Sequence, residues 1–196
     1  MTSDASNSSH PLGPFEGRCI GVGVCGGIAA YKVCHVVSQL AQGGATVDVL
    51  MTPSAQRFVG AATFQALSGR PVLCDPWDGP DPSDPQHIRV ARRLELLLIA
   101  PASMNTIARL AHGLADDVIT LAASGIEPGT APRILAPSMN ASMWNQASTQ
   151  RNLNLLREDG WLVIPPKDGL QACRTIGPGR LPEPEALMEA ISTHLS

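Results

Sequence analysis

The chain has 196 residues, of which 44% are hydrophobic and 16% are charged, and its formal net charge is -3. This length most simply forms one domain with its own core, and the slight negative charge argues against a nucleic-acid binder or an anionic-membrane binder. The five cysteines form no C-x-x-C pair and the five histidines show no ligand spacing with them, so we expect reduced thiols, a cytoplasmic protein and no metal site.

The N-terminal segment, residues 1–16, is rich in Ser, Asn, Asp, Pro and Gly and contains no apolar stretch. We therefore predict a disordered tail rather than a signal peptide, followed by one domain over 17–196. No apolar run reaches the roughly 18 residues that a membrane-spanning helix needs, so we expect no membrane segment.

The first half of the domain alternates between strand and helix patterns. Residues 18–24 are typical of a buried parallel strand, and a helical pattern follows from 28 to about 42. A second strand is predicted over 46–51 and a second helix over 53–67, with Pro near its first turn. This spacing predicts a βαβ unit with a right-handed crossover.

The second half begins with a predicted surface loop over 75–85, where Asp, Pro and Gly alternate. Further strands are predicted at 94–100, 133–136 and 161–164. One helix is predicted to end near residue 111, and three others to span 117–124, 149–158 and 184–195. Residues 169–184 show neither periodicity, so their glycines and prolines predict a loop. The whole pattern predicts a single-domain α/β fold with a doubly wound, Rossmann-like (flavodoxin-like), mostly parallel sheet.

Three unusual segments fall at the carboxyl ends of predicted strands, where a doubly wound sheet binds its ligand. They are 25–27, 101–106 and 137–140. Glycines between a strand and a helix N-terminus let backbone N–H groups approach an anion closely. The G-G-I-A-A sequence is not the G-x-G-x-x-G fingerprint, so a nicotinamide cofactor is disfavoured.

Several polar residues near these segments have both a ligand-binding and a structural interpretation. The cluster at 103–106 is expected to supply the N-cap of the next helix, and Thr52 or Ser54 could cap the helix at 53 instead of binding a ligand. Asn140 is harder to explain as another cap, and its amide could hold a carboxylate. His87 is a candidate base, because histidine is the side chain best suited to accept a proton at neutral pH, although a lone histidine is more often structural.

Cys173 lies in the predicted 169–184 loop, with Arg174 and Arg180 close to it in sequence. A thiol in such a loop can reach a ligand and open again, and the arginines would tend to lower its pKa. The residues alone leave open whether it is a nucleophile, a redox thiol, a proton donor or an ordinary half-exposed cysteine.

Seven segments, in the same order and spacing, resemble the flavin-containing cysteine decarboxylases, most closely those that act on 4′-phosphopantothenoylcysteine in coenzyme A biosynthesis. They are G-G-I-A-A-Y-K (26–32), H-I (87–88), A-P-A-S-M-N-T (100–106), G-L-A-D-D (113–117), A-P-S-M-N-A-S-M-W (136–144), T-Q-R-N (149–152) and L-Q-A-C-R-T-I-G-P-G-R-L-P-E-P (170–184). The resemblance runs from about residue 18 to the C-terminus.

The resemblance implies FMN as the cofactor of a flavoprotein carboxy-lyase. The residues that it implies for FMN binding are Gly26, Gly27, Ile28, Thr52, Ser54, Ala102, Ser103, Met104, Asn105 and Ser138. It also implies a homotrimer or a homododecamer built from trimers, in which FMN and the active-site histidine meet across a subunit boundary.

The resemblance further implies His87 as the active-site base and Cys173 as a proton-donating thiol in a flexible substrate lid over 167–183. The substrate-binding residues that it implies are Asn140, which would hold the carboxylate, Met143, Arg174 and Arg180. The implied reaction converts 4′-phosphopantothenoylcysteine to 4′-phosphopantetheine through a thioaldehyde and an ene-thiol, with the redox step carried by the cofactor.

Some positions depart from the family pattern, and they leave rival interpretations. Arg174 stands where the family usually has Gly, which would stiffen the lid and add a charge beside the thiol. One rival is an oxidative decarboxylase of a peptide C-terminal cysteine, which stops at the ene-thiol, and Cys173 favours the complete reaction over it. Another is a non-catalytic regulatory relative, whose long acidic extension is not seen here. A flavin prenyltransferase would have a different glycine turn.

Overall fold

The structure is a computed structural model that describes residues 13–78, 85–172 and 174–195. Five strands form its main sheet: β1 (Cys19–Val24), β2 (Thr46–Met51), β3 (Leu96–Ala102), β4 (Arg133–Pro137) and β5 (Leu162–Val163). The helices are α1 (Ala30–Gln42), α2 (Ala61–Ser68), α3 (Gln86–Arg93), α4 (Met104–Ala111), α5 (Val118–Gly125), α6 (Ala141–Trp144), α7 (Ala147–Glu158) and α8 (Pro184–His194). A separate two-stranded sheet consists of β6 (Lys167–Leu170) and β7 (Ile176–Arg180).

The main sheet is wholly parallel and has the strand order β2-β1-β3-β4-β5. The predicted doubly wound α/β fold is therefore confirmed. The chain leaves β1 for β2 on one side and returns to β3 on the other, so the order reverses between β1 and β3. Ligands of such sheets bind in the crevice at this reversal point.

Helices cover both faces of the sheet and produce two hydrophobic cores. One core lies under α1, α2 and α8, and the other lies under α3, α4, α5 and α7. The buried side of α1 shows the spacing of an amphipathic helix; its members are Ala30, Val33, Val36, Val37 and Leu40. All seven residues of β3 are buried, as expected of a central strand covered on both faces.

The folded domain begins earlier than the predicted boundary at residue 17. Phe15 is only 5% exposed, and its backbone N–H donates a hydrogen bond to the carbonyl of Gly43. The apolar ring therefore joins the core under α1. The rest of the predicted tail, residues 1–12, lies outside the described residues.

The predicted helix over 53–67 is wrong as a single element. A 3-10 turn at Ala55–Arg57 is separated from α2 by Gly60, whose backbone is extended at φ -69° and ψ 145°. Glycine is a poor helix former, so the chain breaks there and restarts. The predicted loop at 75–85 has no helix or strand at 75–78, and residues 79–84 lie outside the described residues.

The prediction of a featureless loop over 169–184 is also wrong, because β6 and β7 form an antiparallel hairpin. The pairing runs from Lys167 opposite Arg180 to Leu170 opposite Ile176. Gly169 and Gly179 have φ values of 152° and 136°, which residues with side chains rarely adopt. These glycines permit the hairpin instead of interrupting it.

The main sheet contains one nearly buried carboxylate, Asp48 of β2, which is 1% exposed. It accepts hydrogen bonds from Nε of Arg70 at 3.1 Å and from Nε of Arg93 at 2.7 Å. A buried charge needs such partners, since removing one side of a buried pair leaves the other side uncompensated. Asp48 thus ties β2 to α3 and to the segment after α2.

We predict that Asp48→Asn lowers the free energy of unfolding by about 3 kcal/mol, because two arginines lose their counter-charge. Urea unfolding followed by circular dichroism measures this change. Glu95→Gln is the matched control, since it removes the exposed 2.9 Å ion pair with Arg18 and should cost about 1 kcal/mol or less. A loss below 1 kcal/mol for Asp48→Asn would show that the pair does not stabilise the fold.

The described part of the chain offers neither a membrane span nor a metal site. None of its helices is long and apolar enough to cross a bilayer, and none of its His, Cys, Asp and Glu side chains group in threes around a possible ion. Four cysteines in it are free thiols: Cys19, Cys25, Cys34 and Cys74. Cys173 lies outside the described residues.

Candidate active site

Two cavities meet at the carboxyl edge of the sheet, at the reversal point between β1 and β3. The smaller has a volume of about 510 Å³ and the larger about 620 Å³. Both are lined by Gly26, Ser103, Met104 and Met143. Ligand cavities commonly span roughly 300–1,000 Å³, so each is large enough for part of an extended ligand or for a cofactor and a substrate side by side.

The turn after β1 approaches the end of β2 so closely that a side chain would not fit. A Cβ at Gly26 would lie 2.5 Å from Cβ of Ser54 and 3.1 Å from its carbonyl carbon. A Cβ at Gly27 would meet nothing closer than Cγ of Pro101, at 3.8 Å. A side chain is therefore excluded at Gly26, which lines both cavities, but not at Gly27.

The N-terminus of α1 has no side-chain cap and no acidic residue in its first turn. Its backbone N–H groups and helix dipole favour a negatively charged group in front of it. Ile28 is exposed and, with the glycine turn, lines the larger cavity beside this terminus. The arrangement suits an anionic group on a bound ligand.

Hydroxyl groups at the ends of β2 and β3 line the smaller cavity. Thr52 has a structural task as well, because its Oγ1 accepts a hydrogen bond from the N–H of Ala55. Ser103 accepts one from the N–H of Thr106 and caps α4, as predicted for one residue of this cluster. Ser54, by contrast, is exposed and caps nothing through its side chain.

The remaining predicted cofactor contacts have different surroundings. Asn105 is exposed and lines the smaller cavity. Ser138 lines the larger cavity, and its hydroxyl donates to the carbonyl of Gly179 at 3.1 Å. Ala102 is fully buried in β3 and lines neither cavity, and its carbonyl accepts the N–H of Ser138.

Sequence reasoning gave no role to the charged wall of the smaller cavity. Arg109 pairs with Asp116 and lies 3.9 Å from Oδ2 of Asp117. Asp117 also caps α5, accepting the N–H groups of Ile119 and Thr120 at 2.9 Å each. The D-x-x-T spacing is the sequence signal of this capping box, which orients the carboxylate beside the cavity.

Asn140 lines the larger cavity, at the start of α6. Its Oδ1 accepts the N–H of Ser142 at 2.8 Å, so it is an N-cap, contrary to our expectation that capping would not explain it. The same amide donates through Nδ2 to Oε1 of Gln171 at 3.5 Å. Met143, at the third position of α6, lines both cavities.

The β6–β7 hairpin closes one side of the larger cavity with Leu170, Gln171, Ala172 and Gly179. It is docked through the carbonyl of Gly179, which accepts the N–H of Met139 at 3.0 Å. A side chain at Gly179 would overlap the carbonyl oxygen of Met139. The hairpin therefore packs backbone against backbone on the segment that carries Asn140.

A charge cluster links the hairpin to α1 beside the larger cavity. Nζ of Lys32 lies 2.8 Å and 2.9 Å from the two carboxylate oxygens of Glu183, and Nη2 of Arg180 lies 3.3 Å from one of them. The hydrogen bond from Lys32 holds the pKa of the Glu183 carboxyl below its usual range. Burial opposes this lowering, and the charges of Lys32 and Arg180 add to it. Lys32 and Arg180 both line the cavity, so its wall carries a net positive charge.

Cys25 is the cysteine directly under the glycine turn, and it is fully buried. Burial raises the pKa of its thiol to about 11, and hydrogen bonds from Thr106 and Ser103 lower it only in part. The protonated thiol is therefore favoured at neutral pH. Cys25 packs in the core under α3, α4, α5 and α7 and lines neither cavity.

Among the described residues, three predicted site residues line neither cavity: Ala102, His87 and Arg174. His87 lies in the first turn of α3 and lines neither cavity, and its buried Nδ1 has no hydrogen-bond partner there. Arg174 lies at the hairpin tip in a left-handed conformation, with φ 65°, and also lines neither. Cys173 lies outside the described residues.

Comparison with curated proteins identifies two kinds of relative. The chain is 43% identical over 173 residues to the coenzyme A biosynthesis bifunctional protein of Bacillus subtilis, over 88% of this chain and 42% of that protein. It is 40% identical over 172 residues to a probable phosphopantothenoylcysteine decarboxylase of Streptococcus mutans, over 88% of this chain and 96% of that protein. The chain thus spans about two fifths of the length of the bifunctional relatives.

Solved structures with this fold include flavin enzymes. The FMN-dependent cysteine decarboxylase SpaF has a TM-score of 0.80 and 33% identity, over 92% of this chain and 97% of that one. A cysteine mutant of PPC decarboxylase complexed with pantothenoylaminoethenethiol has a TM-score of 0.79 and 30% identity, over 90% of this chain and 97% of that one. A family model described as Flavoprotein matches residues 8–196. This chain therefore belongs to the Flavoprotein family.

Proposed function

We propose that this chain is an FMN-dependent decarboxylase that converts 4′-phosphopantothenoylcysteine to 4′-phosphopantetheine in coenzyme A biosynthesis. The observation that carries the proposal is the junction of the two cavities at Gly26, Ser103, Met104 and Met143. The smaller cavity has hydroxyl groups that suit a flavin, and the larger cavity has an amide and a docked hairpin that suit a substrate. The glycine turn lies between them, since Gly26 lines both. The names of the Streptococcus mutans relative and of the PPC decarboxylase structure support the same activity.

The residues at the cavity junction fit FMN. A side chain at Gly26 would collide with Ser54, so backbone atoms of the turn border the cavities directly. The start of α1 has no side-chain cap, and its backbone N–H groups suit the phosphate of the cofactor. We propose that FMN is held by Gly26, Gly27, Ile28, Thr52, Ser54, Ser103, Met104, Asn105 and Ser138. Ala102, which was predicted with them, is fully buried and lines neither cavity, so it is not included. Bound FMN supplies the two-electron oxidation of the substrate's cysteine side chain and the return of those electrons.

The chain's own residues bind the substrate and move protons. We propose that Asn140 holds the cysteine carboxylate, that Met143 packs beside it, and that the hairpin shields the cavity from water. The positive wall of Lys32 and Arg180 suits an anionic substrate such as a phosphorylated one. Arg174, at the hairpin tip, is proposed as a further contact when substrate is bound.

Proton transfer is proposed for His87 and Cys173. His87 would accept the proton released when the substrate thiol is oxidised, and Cys173 would donate the proton that the ene-thiol carbon needs when the saturated product forms. His87 lies away from both cavities of its own chain, so we propose that it serves a neighbouring copy in a trimer or a dodecamer of trimers. We also place the protein in the cytoplasm, which agrees with its four described free thiols.

The proposal is tested with the purified protein. We expect a yellow protein with bound FMN that releases carbon dioxide from 4′-phosphopantothenoylcysteine. A protein that stays colourless after mild purification and after addition of FMN would overturn the cofactor assignment. A yellow protein that releases no carbon dioxide from this substrate would overturn the substrate assignment alone.

A further inference from the structure

The side chain of Gln171 joins the hairpin to the start of α6. Its Nε2 donates to the carbonyl of Pro178 on β7 at 2.7 Å, and its Oε1 accepts the N–H of Ala141 on α6 at 3.2 Å. Its backbone also closes the hairpin tip, because its N–H donates to the carbonyl of Thr175 at 2.8 Å. One side chain thus holds both a hairpin strand and the helix that follows Asn140.

Gln171 also faces the amide of Asn140, and two hydrogen bonds help to fix the orientation of that amide. The Oδ1 of Asn140 accepts the N–H of Ser142 at 2.8 Å, and its Nδ2 faces Oε1 of Gln171 at 3.5 Å. Rotating the amide by 180° would place NH₂ against N–H and oxygen against oxygen, and both contacts would be unfavourable. Gln171 therefore favours the rotamer in which Asn140 presents its donor side toward the hairpin.

Glycines of β7 provide the space for this arrangement. A Cβ at Gly179 would lie 2.7 Å from Nε2 of Gln171, and a Cβ at Gly177 would lie 3.1 Å from Cβ of Ala141. Larger residues at these positions would push the hairpin away from α6. The close packing lets a short side chain bridge two elements that are 30 residues apart in sequence.

We propose that Gln171 is a positioning residue that couples the Asn140 amide to the hairpin, so that the substrate anchor and the hairpin tip keep one relative placement. The inference rests on the proposed function, in which Asn140 holds the carboxylate and Cys173, two residues after Gln171, donates a proton. Loss of the coupling would let the ene-thiol leave before it is protonated, and the two electrons taken from the substrate would then pass to dissolved oxygen. Gln171 lines the larger cavity, and the proposal assigns it a positioning role and no part in proton transfer.

Two replacements separate the two sides of the bridge. Oε1 of Gln171 also accepts the hydroxyl of Thr175 at 3.3 Å, and Gln171→Glu keeps an oxygen for all of these donors. It replaces the donor to Pro178 by an oxygen that the Pro178 carbonyl repels, so it disturbs the contact with β7. Gln171→Met removes the hydrogen bonds on both sides of the bridge and keeps a side chain of similar size. Gln150→Glu is the matched control, because Nε2 of Gln150 donates to the carbonyl of Trp144 at the other end of α6, also at 2.7 Å.

Hydrogen exchange gives a readout that is independent of activity. We expect amides of 174–180 to exchange about tenfold faster in Gln171→Glu and in Gln171→Met than in the parent protein, which corresponds to about 1.4 kcal/mol. Exchange in these residues should not change in Gln150→Glu. Unchanged exchange in both Gln171 variants would overturn the proposal, whether or not the protein proves to be a decarboxylase.

Kinetics then test the coupling to Asn140. In Gln171→Glu we expect at least tenfold more ene-thiol among the products, with KM within about twofold of the parent value. In Gln171→Met we expect the same change in products and a KM about tenfold higher, because the Asn140 side is lost as well. Parent-like products and KM in both variants would contradict the inference. A parent protein that releases no carbon dioxide would instead contradict the proposed function.

Discussion

Replacing Gly26 by alanine should reduce the affinity for FMN at least about a hundredfold, equivalent to about 2.7 kcal/mol. The new Cβ would lie 2.5 Å from Cβ of Ser54 and 3.1 Å from its carbonyl carbon, so the turn must move away from the end of β2. Backbone atoms cannot rotate aside as a flexible side chain would. The displaced turn would then narrow both cavities, because Gly26 lines each of them.

Fluorescence titration of FMN into the apoprotein measures this loss. Gly60→Ala is the control, since a Cβ at Gly60 would meet no atom within 4 Å and the residue lies in the connection that follows β2. Its FMN affinity should stay within about twofold of the parent value. If Gly26→Ala binds FMN as tightly as Gly60→Ala, the glycine turn is not part of the FMN-binding site.

Replacing Cys173 by serine should stop the reaction at the ene-thiol. A hydroxyl is a much weaker acid than a thiol, so oxidation and loss of carbon dioxide should continue while protonation of the ene-thiol carbon slows about 10²–10⁴-fold. Mass spectrometry of the products, following the two-hydrogen difference between ene-thiol and saturated thiol, measures the effect.

The control for this replacement is another cysteine of the same chain. Cys34 is half-buried on α1 and lines neither cavity, so Cys34→Ser should yield saturated product at the parent rate. Formation of saturated product at that rate by Cys173→Ser would show that another group donates the proton.

Apolar patterning was sufficient to predict the central sheet. β2 matches its predicted bounds, and β1 and β4 each differ by one residue, because buried parallel strands are continuous hydrophobic runs. The hairpin was missed because Gly169 and Gly179 are read as breakers, although their unusual φ values are what allow the pairing. The two hairpin strands form a separate sheet and are mostly exposed or half-buried, so they carry no alternating apolar pattern.

The site was predictable where a short motif marks a strand end, and less so where distant residues meet. The glycine turn and the Ser103 cap follow from local sequence. The pair between Lys32 and Glu183 joins residues 151 positions apart, and only the fold brings them together. The roles of His87 and Cys173 stay predictions, because His87 lines neither cavity and Cys173 lies outside the described residues.

The central claim is the identity of the substrate, and one competition experiment tests it most directly. Purified protein is incubated with equal amounts of 4′-phosphopantothenoylcysteine and a peptide that ends in cysteine, and the products are identified by mass spectrometry. We predict conversion of the phosphorylated substrate to saturated 4′-phosphopantetheine, with the peptide left intact. Preferential decarboxylation of the peptide, with release of its ene-thiol, would contradict the account.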